Sequence, residues 1–168
     1  MFPKVLLDSD DDWQEAFRRY WFPRMHDTLG RVGDLVGVHL YATGVLPVRG
    51  YALTFDEDEE VVEDELVALG FRRNPIACYK SLPDGRPSEG SWVLLNRDNP
   101  VYIARGMQLH VTMFARSDGK PGREMYAHYE DDWRVSPLPH LRAENFSESI
   151  GVEMLTELID EQSYLVRK

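Results

Sequence analysis

The sequence predicts an α+β fold: one globular domain over residues 1–168, in which three to four helices cover a mostly antiparallel sheet. Segments with the alternating apolar pattern of strands come in runs, and isolated helical patterns interrupt them. Strict strand–helix alternation, which is typical of a parallel sheet, is absent. The length of 168 residues is that of one domain, and an apolar fraction of 43% is sufficient for a core.

Four segments have helical patterns. Aromatic residues at positions 13, 17, 20 and 21 recur with helical spacing, and Pro23 should end that first helix. A short helix is expected near residues 25–29. A further helix is predicted over residues 56–69, with Gly70 placed to terminate it. The last helix is predicted over residues 147–162, where apolar residues form a stripe from Ile150 to Ile159.

The strand candidates have period-two patterns bounded by glycine, proline or asparagine. Residues 82–90 read as a turn-rich, mobile loop. The strongest signal is a hairpin whose two strands flank the glycine-containing loop 117–122. The predicted strands are 35–43 paired antiparallel with 48–55, then 76–80, 91–95, 107–115 and 123–133.

The net charge of −10 comes from 29 acidic and 19 basic residues and argues against extended nucleic-acid binding, which requires lysine and arginine. Twelve of the acids lie in residues 8–12 and 56–65, each at an expected helix N-terminus, where negative charge is favourable. The rest of the chain is close to neutral. We therefore expect the partner to be a small molecule or a protein.

The single cysteine, Cys78, cannot form an internal disulfide, so a reducing cytoplasm is the expected location. No window of the sequence approaches the roughly 18 apolar residues of a membrane span. Dinucleotide-binding, phosphate-loop and nucleophile-elbow motifs are also absent. The oligomeric state is open.

The hairpin carries the one concentration of chemically active side chains. If its loop pairs Arg116 with Gly122, His110 lies opposite His128 and Gln108 lies opposite Glu130. Three interpretations are open. The residues could form the solvent-facing side of a half-buried hairpin. They could bind a divalent metal ion such as zinc, iron or manganese through His110, His128, Glu130 and His140. They could also perform catalysis without a metal.

The segment His110-Val-Thr112-Met113 resembles one copy of the His-x-Thr-x motif of the two-histidine phosphoesterases. The resemblance implies that two histidines act as acid and base on a phosphodiester and that two hydroxyls hold the phosphate. The candidate second copy begins at His39 and has Tyr41 in place of threonine or serine.

From these observations we expect a cytoplasmic domain that binds a ligand or a partner. The alternative is a histidine-dependent hydrolase with His110, Thr112 and His39 as catalytic residues, or one that uses the metal ligands above.

Overall fold

The computed structural model describes residues 28, 31–33, 35, 46–74 and 80–166. From residue 46 onward, five strands and three α-helices follow one another, and a short 3-10 helix, Val48–Gly50, precedes the first strand. The predicted α+β fold with an antiparallel sheet is therefore confirmed. The elements are β1 (Tyr51–Phe55), α1 (Glu59–Ala68), β2 (Arg72–Arg73), β3 (Ser88–Leu95), β4 (Met107–Ala115), β5 (Arg123–Asp131), α2 (Pro137–Leu141) and α3 (Glu148–Val166).

The five strands form one antiparallel sheet in the order β1-β5-β4-β3-β2. The predicted hairpin, β4 and β5, lies at its centre, and Ala115 pairs with Arg123 at the loop end. Gly122 has a φ of +110°, and a Cβ there would lie 2.2 Å from the carbonyl oxygen of Phe55. Only glycine fits this position, because both the conformation and the space exclude a side chain.

One side of the sheet packs against α1 and α3. Val62 and Leu66 of α1 and Leu155 of α3 are buried against the apolar side chains of the hairpin. Gly151 lets α3 approach β5 closely, since a Cβ at this position would lie 2.3 Å from the Cα of His128. The hairpin contributes Leu109, Val111, Met113, Met125 and Ala127 to this core.

Local capping interactions stabilise the C-terminus of α1 and the N-terminus of α3. Gly70, with a φ of +92°, ends α1 as the sequence predicts, and the amide of Phe71 donates to the carbonyl of Leu66 at 2.9 Å. At the start of α3, the hydroxyl of Ser147 accepts from the amide of Ile150 at 3.3 Å. Among the residues that the structure describes, no helix has the length and apolar character that would let it cross a bilayer.

Several element boundaries differ from the prediction. β1 begins at Tyr51 because residues 48–50 form the 3-10 helix, and β1 pairs with β5. Residues 88–90 belong to β3 rather than to the predicted loop, since they pair with the end of β4. Leu35 is helical, not the start of a strand. The first predicted helix, residues 36–43 and residues 76–79 lie outside the described part of the chain.

Candidate functional site

The polar side chains of the hairpin lie on the face of the sheet opposite α1 and α3. The strand register pairs His110 with His128, Gln108 with Glu130 and Thr112 with Tyr126. This is the register that the length of the loop predicts. Because side chains alternate along a strand, it brings both imidazoles and the carboxylate to one patch.

This patch is buried, so the interpretation as a solvent-facing side of the hairpin is wrong. Only 1% of His110, 2% of His128 and 3% of Glu130 is exposed. The ring of Phe146, just before α3, lies 4.7 Å from the ring of His128 and covers it. Period-two alternation shows which residues share a face but gives no information about what covers that face. Polar groups buried in this way must be paired with one another or with a ligand.

The carboxylate of Glu130 is the centre of the patch. Its Oε1 atom accepts hydrogen bonds from Gln108 Nε2 at 2.8 Å and from His110 Nδ1 at 3.1 Å. The Nε2 atom of His128 lies 3.4 Å from the same oxygen. One nitrogen from each histidine and one oxygen of Glu130 all lie within 4.8 Å of one another. We call these three residues the His–His–Glu cluster.

Ser91 on β3 contacts the His–His–Glu cluster and was not predicted from the sequence. Its Oγ lies 2.6 Å from Nε2 of His110, on the side of the ring away from Glu130. When His110 Nδ1 donates to the carboxylate, Nε2 accepts from the hydroxyl of Ser91. Ser91 falls in a strand that the sequence predicts, but its position beside His110 depends on the pairing of β3 with β4. The sequence contains no signal for that pairing.

His140 lies beside the cluster. It is carried by α2, and its Nδ1 donates to the backbone carbonyl of Asp131 at 2.9 Å. The same nitrogen lies 3.4 Å from the second carboxylate oxygen of Glu130. His140 is not among the residues whose candidate ligand atoms all lie within 4.8 Å of one another. Of the four predicted metal ligands, His110, His128 and Glu130 therefore come together, and His140 lies next to them.

Burial sets the protonation of the two imidazoles. It lowers the pKa of His110 to about 3, with a further contribution from the positive charge of Lys80 and from His128 when that ring is protonated. Burial also lowers the pKa of His128, against the opposing effect of Glu130. Both rings are therefore neutral near pH 7, and in each ring one nitrogen carries no proton. A neutral imidazole nitrogen is the form that binds a metal ion.

Glu130 and Lys80 are charged groups that act on both imidazoles. Burial by itself would raise the pKa of Glu130, but the neighbouring histidines and their hydrogen bonds outweigh it, and the pKa lies well below the usual value. Glu130 is therefore ionised. Burial lowers the pKa of Lys80, and the carboxylate of Glu130 opposes that effect.

Only one of the two histidine motifs in the phosphoesterase resemblance lies in the described part of the chain. Thr112 is fully buried next to His110 on the same face, and its Oγ1 has no hydrogen-bond partner among the described residues. His39 lies outside the described part of the chain. The pairing of His39 with His110, on which the resemblance depends, therefore stays a prediction.

Comparison with protein-family models, with curated proteins and with solved structures finds no match to this chain. The fold and the cluster define an α+β protein with a buried histidine–carboxylate centre, and the chemistry of that centre is the basis for a functional proposal.

Proposed function

We propose that this protein is a ligand-binding domain whose ligand is a divalent transition-metal ion, held by His110, His128 and Glu130. The observation that carries the proposal is the convergence of their three donor atoms within 4.8 Å in a buried patch. Two neutral imidazoles and one carboxylate form a common ligand set for such ions.

The distances inside the cluster support this assignment. Two metal–ligand bonds of about 2.0–2.1 Å that meet at a tetrahedral angle separate the ligand atoms by about 3.4 Å. The nitrogens of His110 and His128 lie 3.1 Å and 3.4 Å from Glu130 Oε1. We therefore assign Nδ1 of His110 and Nε2 of His128 as the ligand atoms. The Nε2–H of His110 would then donate to Ser91 and hold the ring in place.

The ligand chemistry favours zinc, iron or manganese over magnesium, because magnesium prefers oxygen ligands in an octahedral arrangement. Three protein ligands also leave a coordination position for a small ligand, as in catalytic zinc sites. The hydroxyl of Thr112, which has no hydrogen-bond partner among the described residues, lies on the same face of the sheet.

The first experiment is metal analysis of the purified protein, followed by calorimetric titration of the chelator-treated protein with Zn²⁺ and with Mg²⁺. We expect about one equivalent of Zn²⁺ to bind and Mg²⁺ to bind much more weakly. His128→Gln and Glu130→Gln each remove a proposed metal ligand and should weaken Zn²⁺ binding by more than about 100-fold. This effect is larger than that of losing a residue that only hydrogen-bonds to a ligand, which is about 10–100-fold. The matched control is Glu144→Gln, which removes an exposed carboxylate and should leave binding unchanged.

A smaller effect is expected for the residues around the ligands. Ser91→Ala and His140→Gln should each weaken Zn²⁺ binding by roughly 10–100-fold, because they orient His110 and Glu130. A protein that purifies with less than a tenth of an equivalent of metal and shows no saturable Zn²⁺ binding would contradict the proposal.

A histidine-dependent hydrolase is the second candidate, and one observation favours it. Ser91, His110 and Glu130 form a continuous hydrogen-bonded chain, with 2.6 Å from hydroxyl to imidazole and 3.1 Å from imidazole to carboxylate. A serine nucleophile, a base and an orienting acid have this order. A fluorophosphonate probe should label the wild type but not Ser91→Ala. Absence of labelling in the native protein at any probe concentration would exclude Ser91 as the nucleophile of such a hydrolase.

We further propose a cytoplasmic location and a small-molecule or protein partner. The single cysteine supports the cytoplasmic location. The near-neutral charge outside the two acidic segments supports a small-molecule or protein partner. Fractionation of the native host cell tests the location.

A further inference from the structure

A cavity of about 670 Å³ lies on the same face of the sheet as the His–His–Glu cluster, toward the opposite end of β5. From β5, the side chains at positions 124 and 126 line it, whereas the cluster uses positions 128 and 130. The volume is in the range of small-molecule binding sites, which is about 300–1,000 Å³. The proposed metal ligands do not line the cavity, so a molecule bound there would be distinct from the metal ion.

Part of the cavity wall is apolar and aromatic. The rings of Tyr51 and Tyr126 meet edge to face with their centroids 5.7 Å apart. The hydroxyls of Tyr51 and Thr54 form a hydrogen bond of 2.8 Å, which holds the first ring in place. Burial and the neighbouring Glu124 raise the pKa of Tyr126, so its phenol is neutral. The aliphatic side chains of this wall are Val48, Leu82 and Pro83.

The charged part of the wall consists of two carboxylates and one guanidinium, those of Asp84, Glu124 and Arg86. Arg86 donates from Nε to Asp84 at 2.8 Å and from Nη1 to Glu124 at 2.9 Å. Hydrogen bonds from the amide and the side chain of Arg86 lower the pKa of Asp84. Burial by itself would raise the pKa of Glu124, but hydrogen bonds from Ser117 and Arg86 outweigh it and the pKa is lowered. Both carboxylates are therefore ionised, and the lining side chains carry a net negative charge.

The two carboxylates differ in their capacity to accept hydrogen bonds from a ligand. Oε1 of Glu124 accepts from the amide and the hydroxyl of Ser117, and Oε2 accepts from Arg86 and Tyr126. A carboxylate has about four lone-pair positions, so those of Glu124 are all used. Asp84 accepts one hydrogen bond on each oxygen, from the amide and from Nε of Arg86, and its side chain is 48% exposed. Asp84 is therefore the carboxylate that a ligand can reach.

A tight turn fixes the position of Asp84. The amide of Gly85 donates to the carbonyl of Leu82 at 2.9 Å, and the amide of Leu82 donates to the carbonyl of Arg86 at 2.9 Å. These bonds close the turn on both sides of Asp84. The carboxylate is therefore presented to the cavity from an ordered backbone, which lowers the entropic cost of binding a ligand.

Charge and shape together favour a positively charged organic ligand. Arg86 is already used by both carboxylates, by a backbone carbonyl and by the phenol of Tyr126, so an anion would meet unfavourable like charge. A hard metal ion needs about six oxygen ligands, and with Glu124 saturated the wall cannot supply them. Aromatic rings attract organic cations. We propose that this cavity binds a small amine in its ammonium form, with the charge at Asp84 and an apolar or aromatic body against Tyr51 and Tyr126.

The test uses three probes with the same ring and different charge: benzylamine, benzyl alcohol and benzoate. Each is titrated into the ¹⁵N-labelled full-length protein in the presence of a chelator, because an amine can also bind a metal ion. We expect saturable benzylamine shifts centred on residues 82–86, 117 and 124–126. Benzyl alcohol should bind at least about fivefold more weakly, because it lacks the ion pair and the cation–π interaction. Benzoate should bind more weakly still.

Two variants test the charge and the ring. Asp84→Asn removes the charge but keeps an oxygen that can accept from Arg86, so benzylamine affinity should fall about threefold or more while benzyl alcohol affinity stays the same. Tyr51→Leu replaces a 42% exposed aromatic residue with an apolar one and should reduce the preference for benzylamine over benzyl alcohol about twofold or more. The matched control is Glu144→Gln, which removes an exposed carboxylate outside the cavity and should change neither affinity.

The proposal is overturned if benzyl alcohol or benzoate binds as tightly as benzylamine, or if Asp84→Asn keeps the full preference for benzylamine. Shifts centred on other residues, or no saturable shift at any concentration at which the protein stays folded, would also overturn it. None of these outcomes depends on the metal ligands, so the amine site and the metal site are tested independently.

Discussion

The two faces of the central hairpin are equally buried but differ in chemistry. On one face, Leu109, Val111 and Met113 are fully buried against α1 and α3. On the other face, Gln108, His110 and Thr112, which alternate with those residues, are 0–1% exposed. The apolar face gains free energy from every side chain that it removes from water. The polar face must compensate its buried donors and acceptors, and the carboxylate of Glu130 does so for Gln108 and His110.

This difference shows where function is to be expected. The apolar face is explained completely by packing. The polar face contains a buried charge, two imidazoles with lowered pKa values and the hydroxyl of Thr112, which has no partner in the part of the chain that the structure describes. Such groups lower stability unless they are paired, and their concentration in one patch is the observation that supports the proposed metal site.

Truncation of the apolar side should have the largest effect on stability. Leu66 on α1 is 1% exposed and packs in the core between the helices and the sheet. Leu66→Ala should lower the free energy of unfolding by roughly 2–5 kcal/mol, because it removes buried methyl groups and leaves a cavity. Urea denaturation measures this. The exposed Val67→Ala on the same helix is the control. A loss below about 0.5 kcal/mol would mean that Leu66 does not contribute to the core.

Neighbouring substitutions on the two faces provide a direct comparison, because Val111 and Thr112 are both fully buried. Val111→Thr should cost about 1–3 kcal/mol, since it buries a hydroxyl among apolar side chains. Thr112→Val should be neutral or stabilising, because the hydroxyl that it removes has no partner among the described residues. The two variants are measured together by urea denaturation. Equal losses in both would show that the faces do not differ in this way.

In the metal-free protein, the pH dependence of the free energy of unfolding should reflect the protonation of the buried groups on the polar face. An unfolded histidine binds a proton near pH 6.5, whereas folded His110 does so only near pH 3. Between these values the unfolded state binds more protons, so the free energy of unfolding should fall as the pH falls, by about 1.4 kcal/mol per pH unit for His110. The lowered pKa of Glu130 acts in the same direction below pH 4.5.

The measurement is urea denaturation at several pH values with a chelator present. His110→Gln removes the titrating group and should give a shallower dependence than the wild type. If the curves of the two proteins are parallel between pH 6.5 and pH 3, His110 is not buried in its neutral form.

Local patterns were sufficient to predict much of the fold and part of the site. The alternation in β4 and β5 and the length of their loop gave the register that joins His110 to His128. Gly70 marked the end of α1, since the left-handed conformation there favours glycine. β2 and α2 were not predicted, because two and five residues are too few for a periodic pattern.

The sequence by itself determined which side chains share a face of the hairpin, because the period of a strand is a property of the backbone. Only the tertiary structure decided that the polar face is buried, that β3 brings Ser91 to His110, and that α2 places His140 beside Glu130. These contacts join residues of different strands and helices. They depend on strand order and on what covers the sheet, and neither follows from local periodicity. The same burial gives the histidines the neutral form that a metal ion requires.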